Sequence, residues 1–249
     1  MRRRHAALAL GALVAVHAAP ALAARGPVRW ALPGLSGVGR PGGVALTFDD
    51  GPDRQGTPAV LDALAALGWT ATFFVLGSQV LDHPEMARRL VSDGHELALH
   101  GHSHRNHLTR TPLDVHRDLA RSRQAVLDTT GVTPQWYRPP YGVLTAGTLA
   151  TARELGMTPV LWTAWGRDWA RTDGPAVAGR VLRDLRDGGT VLLHDSDVTS
   201  TPGSWRATVG SLPLLAAALH TRGWEVRPLR DHLPAAARGV SAAIAADAA

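Results

Sequence analysis

The sequence predicts an α/β protein built on a parallel β-sheet, either open or closed into a barrel. From residue 43 to residue 230, short apolar segments alternate with longer segments of helical period. Glycine, proline and aspartate separate them, as is typical of turns between strands and helices. Such alternation favours parallel strands covered by helices, with functional groups at the carboxyl ends of the strands.

Each element is predicted from its local pattern. Strands are predicted where apolar, β-branched and aromatic residues cluster between turns, at 44–48, 70–75, 96–99, 158–162, 190–193 and 224–228. A further short strand precedes Arg138. Helices are predicted where periodic segments follow a capping residue or a first-turn proline, at 57–68, 83–94, 111–131, 146–155, 175–185 and 212–220.

Composition excludes several kinds of chemistry. The chain has 249 residues, of which 45% are hydrophobic and 19% charged. This is ordinary for a globular protein, and the length fits a single barrel of about 200–250 residues. The chain has no cysteine, which excludes disulfides, a thiol nucleophile and a cysteine-ligated metal. Its twelve histidines, together with carboxylates, are the ligands available to a metal.

The two ends of the chain predict export and a flexible tail. Residues 1–23 combine a basic start, an apolar stretch and an Ala-x-Ala cleavage site, which predicts a cleaved signal peptide. The apolar stretch is shorter than the about 20 residues of a membrane span, so no stable span is expected after cleavage. The Gly/Pro-rich segment 24–42 predicts an extended lead-in, and the Ala-rich segment 234–249 a flexible tail. Removing the three basic arginines leaves a net charge of +2, which argues against nucleic-acid binding.

Two adjacent carboxylates follow the first predicted strand. Asp49 and Asp50 lie in the segment TFDDGP at 47–52, where Gly51 and Pro52 predict a turn. Successive residues of a strand point to opposite faces, but at a strand-to-turn junction both side chains can reach one pocket. One carboxylate can then bind a metal while the other acts as a general base.

Five histidines lie within thirteen residues around the third predicted strand, namely His95, His100, His102, His104 and His107. His100 and His104 are four residues apart, which suits one face of a helical turn and joint ligation of a metal. His100, His102 and His104 alternate, however, and on a strand they would share a face. Histidines with a carboxylate suit zinc and leave positions open for water. The spacing leaves the ligand pair open.

Two further strand ends carry candidate functional groups. Arg138 opens the segment RPPYG at 138–142, whose prolines stiffen the backbone and fix the N–H groups that follow. A fixed N–H beside a metal can stabilise an oxyanion. His194 follows an apolar strand and suits a general acid if a carboxylate raises its pKa, and Asp168 is the candidate partner.

Six motifs in this order resemble those of the polysaccharide deacetylases of carbohydrate esterase family 4, the NodB-homology domain. They are TFDDGP at 47–52, ATFFVLG at 71–77, GHELALHGHSH at 94–104, RPPYG at 138–142, RDW at 167–169 and LLHD at 192–195. The resemblance covers 43–230, which is therefore predicted to be one catalytic domain. It implies a distorted (β/α) barrel, similar to a TIM barrel, with about seven parallel strands.

The resemblance also implies a role for each candidate residue. It implies that Asp49 is the general base, oriented and ionised by Arg138. It implies that a divalent metal, expected to be zinc with cobalt, nickel or manganese as alternatives, is held by Asp50, His100 and His104. The other implied roles are an oxyanion-stabilising N–H at Tyr141, a general acid at His194 whose charge state is set by Asp168, and an acetyl-methyl pocket at Trp162 and Leu192.

Two positions depart from the family pattern. Trp165 stands three residues before Asp168, where the family usually has an acidic residue. Gly101 follows the first histidine ligand, where a Ser or Thr that often supports the metal site is common. His102 receives no role from the resemblance.

Together with the candidate residues and the predicted signal peptide, the resemblance implies an exported, metal-dependent hydrolase that removes acetyl groups from an N-acetylated glycan. The expected substrate is an acetylated polysaccharide or oligosaccharide, such as peptidoglycan or chitin-like oligomers, with acetylxylan as a further possibility, and a monomer is expected. One alternative is a metallohydrolase that uses the pair His100 and His102. Another is a non-catalytic glycan-binding module on the same scaffold, which would tolerate Asp49→Asn.

Overall fold

The computed structural model describes residues 11, 14–15, 17–24, 32–170 and 172–234. The strands are β1 Gly43–Asp49, β2 Thr72–Val75, β3 Glu96–Leu99, β4 Trp136–Tyr137, β5 Thr158–Pro159, β6 Ala164–Trp165, β7 Thr190–His194 and β8 Glu225–Arg227. The helices are α1 Gly56–Leu67, α2 Gly77–Asp82, α3 Pro84–Ser92, α4 Pro112–Thr130, α5 Ala146–Glu154, α6 Gly174–Asp184, α7 Trp205–Thr221 and α8 Leu229–His232. Short 3-10 helices cover Ala19–Ala24, His107–Thr109 and Pro140–Gly142.

Seven strands lie side by side in the order β5-β4-β3-β2-β1-β7-β6, and β8 pairs with the beginning of β1. All of the pairings are parallel. The edge strands β5 and β6 are joined only by residues 160–163, a connection that spans at most about 18 Å when extended. The sheet must therefore curl until its edges lie close together. The predicted class, a distorted (β/α) barrel of about seven parallel strands in one domain, is confirmed.

Arg138 and the lead-in fill the gap between the edge strands β5 and β6, which we call the seam. The Arg138 Nε donates to the carbonyl oxygen of Val160 at 3.2 Å, and its Nη2 donates to that of Leu161 at 2.8 Å. The Leu161 N–H donates to the carbonyl of Leu35. These bonds satisfy backbone groups that have no neighbouring strand, as buried backbone requires.

Strand alternation separates the apolar core from the site. Val44, Leu46 and Phe48 of β1 pack in the large cluster of buried apolar residues beneath the helices. The intervening Thr47 and Asp49 point to the interior of the barrel, because successive side chains alternate between the faces of a strand. The register pairs Asp49 with His194 on β7, so the ends of these two central strands meet at the mouth of the barrel.

The structure corrects several element boundaries. The strand predicted at 158–162 is limited to Thr158–Pro159, since the next carbonyls bind Arg138 instead of another strand. The helix predicted at 212–220 spans Trp205–Thr221 and includes Pro213, which is typical of a first turn yet lies inside this helix. Helix α2 was not predicted, because six residues are too few to show helical periodicity. Within the lead-in, residues 33–37 form turns rather than extended chain.

The predicted signal peptide and tail lie largely outside the described residues, which include only part of 1–23 and, in the tail, only Pro234. None of the described helices combines the length and the apolar character that a membrane crossing requires.

Candidate metal centre and active site

Asp49 and Asp50 line a single pocket at the carboxyl end of β1. Both residues are buried, with 2% of their surface exposed. Asp50 has a φ of 81°, a left-handed conformation that is uncommon for residues other than glycine. This backbone turn directs the second carboxylate into the pocket that the first already faces, as the strand-to-turn junction predicted.

The histidine loop differs from the helical turn that the spacing suggested. Residues 100–104 form neither helix nor strand, and Gly101 and His104 have φ values of 92° and 49°. This irregular path brings the rings of His100 and His104 to a centroid separation of 5.1 Å. His102 lies outside the group of ligand atoms that converge with Asp50. The structure thus brings His100 and His104, and not His102, together with Asp50.

Asp50, His100 and His104 could together hold a metal ion. Their donor atoms lie within 4.8 Å of one another. The Nε2 atoms of His100 and His104 are 3.5 and 3.4 Å from Asp50 Oδ1, a buried oxygen without a hydrogen-bond partner among the described residues. The His100 Nδ1 is 2.8 Å from the Arg138 carbonyl and must donate to it, so in the neutral ring the lone pair lies on Nε2. Such a convergence of lone pairs fits a cation.

The protonation states of His104 and Asp50 also suit metal binding. Burial lowers the pKa of His104 to about 4, and the nearby His100 acts in the same direction, so His104 is the neutral imidazole that a metal needs. Burial alone raises the pKa of Asp50, but the facing histidines and a hydrogen bond from Thr199 bring it below the ordinary value. Asp50 is therefore a carboxylate at neutral pH.

The Arg138 guanidinium binds the second carboxylate, Asp49. Its Nη1 donates to Asp49 Oδ1 at 2.7 Å and to Thr47 Oγ1 at 2.8 Å. The other Asp49 oxygen, Oδ2, lies 3.6 Å from His100 Nε2. Arg138 is fully buried, and its guanidinium lies 3.9 Å from the centre of the Phe74 ring. The guanidinium thus fixes one oxygen of Asp49 and leaves the other facing the metal ligands.

His194 forms a buried pair with Asp168, as predicted from the sequence. The His194 Nδ1 is 2.9 Å from Asp168 Oδ1, and Asp168 Oδ2 accepts from the His194 backbone N–H at 2.7 Å. Thr208 also donates to Asp168 Oδ2. Burial opposes the charged ring, but the charge and hydrogen bond of Asp168, together with the charges of Asp50 and Asp49, outweigh it and raise the pKa of His194 to about 10. The ring nitrogen Nε2 faces the pocket, 3.9 Å from Asp50 Oδ2.

The pocket has a volume of about 330 Å³ and includes nearly all of the predicted site. Its lining residues are Asp49, Asp50, His100, His104, Tyr141, Gly142, Trp162, Trp165, Trp169, Leu192, His194 and Thr199. Tyr141 has a φ of 61° and an exposed ring that contacts His104. Trp165, the departure from the family pattern, lies between Trp162 and Trp169, with ring centroids 5.8 and 6.3 Å away. Arg138 and Asp168 lie behind the lining and hold Asp49 and His194.

Three hydroxyl groups at the site were not predicted. Thr47 binds Arg138, Thr208 binds Asp168, and Thr199 donates a short hydrogen bond to Asp50 Oδ2. The inward position of Thr47, two residues before Asp49 on the same strand, is a signal that strand alternation provides. Thr199 and Thr208 lie in a loop and a helix without a motif, so no local pattern identifies them.

A buried acid behind the pocket predicts an unusual dependence of stability on pH. Asp195 accepts from Thr57 at 2.6 Å and packs against Gly51, and burial raises its pKa to about 8. In the unfolded chain this carboxyl titrates near 4, so between those pH values only the folded state keeps the proton. The free energy of unfolding should therefore fall as pH rises from about 4 to about 8.

The variant Asp195→Asn removes this titration. It should match the natural chain near pH 4 and exceed its free energy of unfolding by more than about 1.4 kcal/mol at pH 8. Urea unfolding at a series of pH values measures the difference. Parallel pH profiles for the two proteins would contradict the raised pKa.

The fold and the site together define a class, an α/β barrel with an Asp-His-His cluster at its mouth that could hold a metal ion, and known proteins of one family share this fold. The family described as polysaccharide deacetylase matches residues 37–160. A chitooligosaccharide deacetylase of Bradyrhizobium sp. (strain ANU 289) is 39% identical over 196 residues, covering 75% of this chain and 88% of the relative. The chain therefore belongs to the polysaccharide deacetylase family.

Two further similar proteins are named as peptidoglycan deacetylases. The peptidoglycan-N-acetylglucosamine deacetylase PgdA of Listeria monocytogenes is 35% identical over 182 residues, covering 73% of this chain and 37% of the relative. The crystal structure of the Bc1960 peptidoglycan N-acetylglucosamine deacetylase superposes with a TM-score of 0.76 at 27% identity, covering 84% of this chain and 97% of that one.

Proposed function

We propose that the protein is an exported, metal-dependent hydrolase that removes acetyl groups from an N-acetylated glycan. The observation that carries the proposal is the arrangement around the three metal-donor atoms. Asp49, held by Arg138, lies on one side, 3.6 Å from His100 Nε2. His194, held by Asp168, reaches within 3.9 Å of Asp50 from β7. A base and an acid thus face the same donor set, as amide hydrolysis requires.

Zinc is the metal that this donor set suits, because two imidazoles and one carboxylate leave a coordination position open. Cobalt, nickel and manganese are the alternatives. When bound, such an ion polarises an acetyl carbonyl and makes water a better nucleophile.

The residues of the chain then divide the proton transfers between them. The free Oδ2 of Asp49 takes a proton from the water that adds to the acetyl carbonyl carbon. The backbone N–H of Tyr141 donates to the oxygen on which negative charge develops. His194, protonated because of Asp168, gives its proton to the amide nitrogen as the carbon–nitrogen bond breaks. Acetate and a free glycan amine are the products.

The pocket lining supports the choice of an acetyl group on a sugar. Trp162 and Leu192 line the pocket beside the donor set and provide apolar surface for the acetyl methyl. The names of the relatives point to chitooligosaccharide and peptidoglycan substrates, both of which carry N-acetylated sugars. We therefore place the substrate among peptidoglycan and chitin-like oligomers.

Acetate release by the purified chain tests the proposal. The protein is stripped with a chelator, reloaded with zinc and offered chitooligosaccharides, peptidoglycan fragments and acetylxylan in parallel. We expect release from at least one N-acetylated glycan that disappears on stripping and returns with zinc. No release from any substrate by folded, zinc-loaded protein would contradict the proposed activity.

The alternative that uses His102 as a ligand is tested by paired variants. The ring of His104 lies in the donor set, whereas the ring of His102 is buried outside it, and its Nδ1 has no hydrogen-bond partner within the described part of the chain. His104→Ala should abolish tight zinc binding, and His102→Ala should leave zinc binding within a few fold of the natural chain. The reverse pattern would support the alternative.

Export is supported by the pattern of residues 1–23, in which a basic start, an apolar stretch and Ala-x-Ala occur together. We expect a mature, extracellular or cell-wall-associated protein that begins at residue 24 or within one residue of it. Mass spectrometry of the exported protein measures the cleavage position, and an uncleaved, cell-retained chain would contradict it.

A further inference from the structure

The metal loop, defined as residues 100–104, has no regular secondary structure. It carries two of the three metal-donor side chains, those of His100 and His104. Gly101 and His104 have left-handed backbone conformations, with φ values of 92° and 49°. A loop of this kind has no helical or strand ladder to hold its ligands in place. Contacts from other elements must therefore fix the separation of His100 and His104.

The carbonyl groups of the metal loop are held by helices α2 and α4. The Gly101 carbonyl accepts from Ser122 Oγ at 2.8 Å and from the Gly77 N–H at 3.0 Å. The His102 carbonyl accepts from the Ser78 N–H at 3.1 Å. These bonds hold one side of the loop.

Asp118 of α4 holds the other side of the loop. Its Oδ2 accepts from the His102 backbone N–H at 2.7 Å, and its Oδ1 accepts from Ser103 Oγ at 2.9 Å. One carboxylate thus binds two successive residues between the histidine ligands. Hydrogen bonds to a charged acceptor are stronger than neutral ones, which suits the task of holding an irregular loop.

Gly101 lies directly against the carboxylate of Asp118. A Cβ atom at position 101 would lie 3.1 Å from Asp118 Oδ2, closer than ordinary van der Waals contact, and the φ of 92° disfavours any side chain. The absence of a side chain at Gly101 therefore leaves room for the carboxylate. The side chain that supports the loop comes from another element instead of from position 101.

We propose that Asp118 is a positioning residue of the metal centre, which sets the metal affinity by holding the metal loop through His102 and Ser103. The inference rests on the proposed metal site. Removal of groups that orient metal ligands typically weakens metal binding or activity by about 10- to 100-fold. We expect Asp118→Ala to weaken zinc binding by at least about 10-fold.

The test measures zinc affinity by competition with a chelating dye, using the full chain after metal removal. Asp118→Asn keeps one carbonyl acceptor and should recover part of the affinity lost in Asp118→Ala. Asp128 lies on the exposed part of the same helix and, among the residues that the structure describes, its side chain accepts only from Gln124. Asp128→Asn is therefore the matched control and should bind zinc like the natural chain. Thermal unfolding of each metal-free variant is recorded in parallel.

The inference is overturned if Asp118→Ala binds zinc as tightly as Asp128→Asn. It is also overturned if Asp118→Ala and Asp118→Asn lose affinity equally and only in proportion to a lower melting temperature, since this would mean a structural role. Failure of the proposed function has a different signature, because the natural chain would then bind zinc tightly and still release no acetate.

Discussion

Arg138→Ala should both inactivate the protein and destabilise it more than any other single change at the site. The guanidinium is fully buried and binds Asp49, Thr47 and the carbonyls of Val160 and Leu161. Removing one partner of a buried ion pair costs about 3–5 kcal/mol, because the other charge is left uncompensated. Urea unfolding should show a loss of this size, and acetate release should fall below detection.

Two further variants separate the contributions of charge and geometry. Arg138→Lys keeps the charge, but an ammonium cannot reach Asp49 and the seam carbonyls together as a guanidinium does, so stability should recover only in part. Arg153 is exposed on α5, and Arg153→Ala should change stability by no more than about 0.5 kcal/mol. Unfolding of Arg138→Ala at the same urea concentration as Arg153→Ala would contradict the role of Arg138 at the seam.

Asp168→Asn should slow acetate release by about 10²- to 10⁴-fold, the range expected when a general acid is impaired. Asp168 makes the largest contribution to raising the pKa of His194 to about 10, against the opposing effect of burial. Without the carboxylate the burial effect remains, so the pKa of His194 falls and the ring loses its proton at a lower pH. The alkaline limb of the kcat profile should therefore move to lower pH.

The pH profile distinguishes this role from simple damage to the fold. Asp62 is exposed, so Asp62→Asn is a matched carboxylate-to-amide control and should leave both kcat and its pH profile unchanged. A reduced kcat in Asp168→Asn with an unshifted alkaline limb would contradict the assignment of His194 as the acid that Asp168 keeps protonated.

The parallel sheet and the positions of the functional groups could be predicted because they depend on local patterns, whereas closure of the sheet into a barrel was expected only from the family resemblance. Strand alternation and turn residues place Asp49 and His194 at the ends of β1 and β7, and these strands are neighbours in the sheet. The sequence also placed Arg138 at a strand end. Its bonds across the seam depend on how far the sheet curls, which is set by packing of the whole barrel and not by residues near position 138.

The threonines that support the site could not be predicted, because their contacts also depend on the packing of the whole barrel. Thr208 contacts Asp168 over a separation of 40 residues, and Thr199 contacts Asp50 over 149. The metal loop was also misread as a possible helical turn, because a spacing of four residues suits a helix. Left-handed backbone at Gly101 and His104 brings the two rings together by another path.

The adjacent carboxylates provide the most direct test of the proposed mechanism, in which Asp49 accepts a proton from water and Asp50 binds the metal. Asp49→Asn and Asp50→Asn are compared for zinc affinity and for acetate release from the preferred glycan. We predict that Asp49→Asn binds zinc within a few fold of the natural chain and releases no acetate, and that Asp50→Asn loses both properties. Acetate release by Asp49→Asn at the natural rate, or unchanged zinc affinity in Asp50→Asn, would contradict the account.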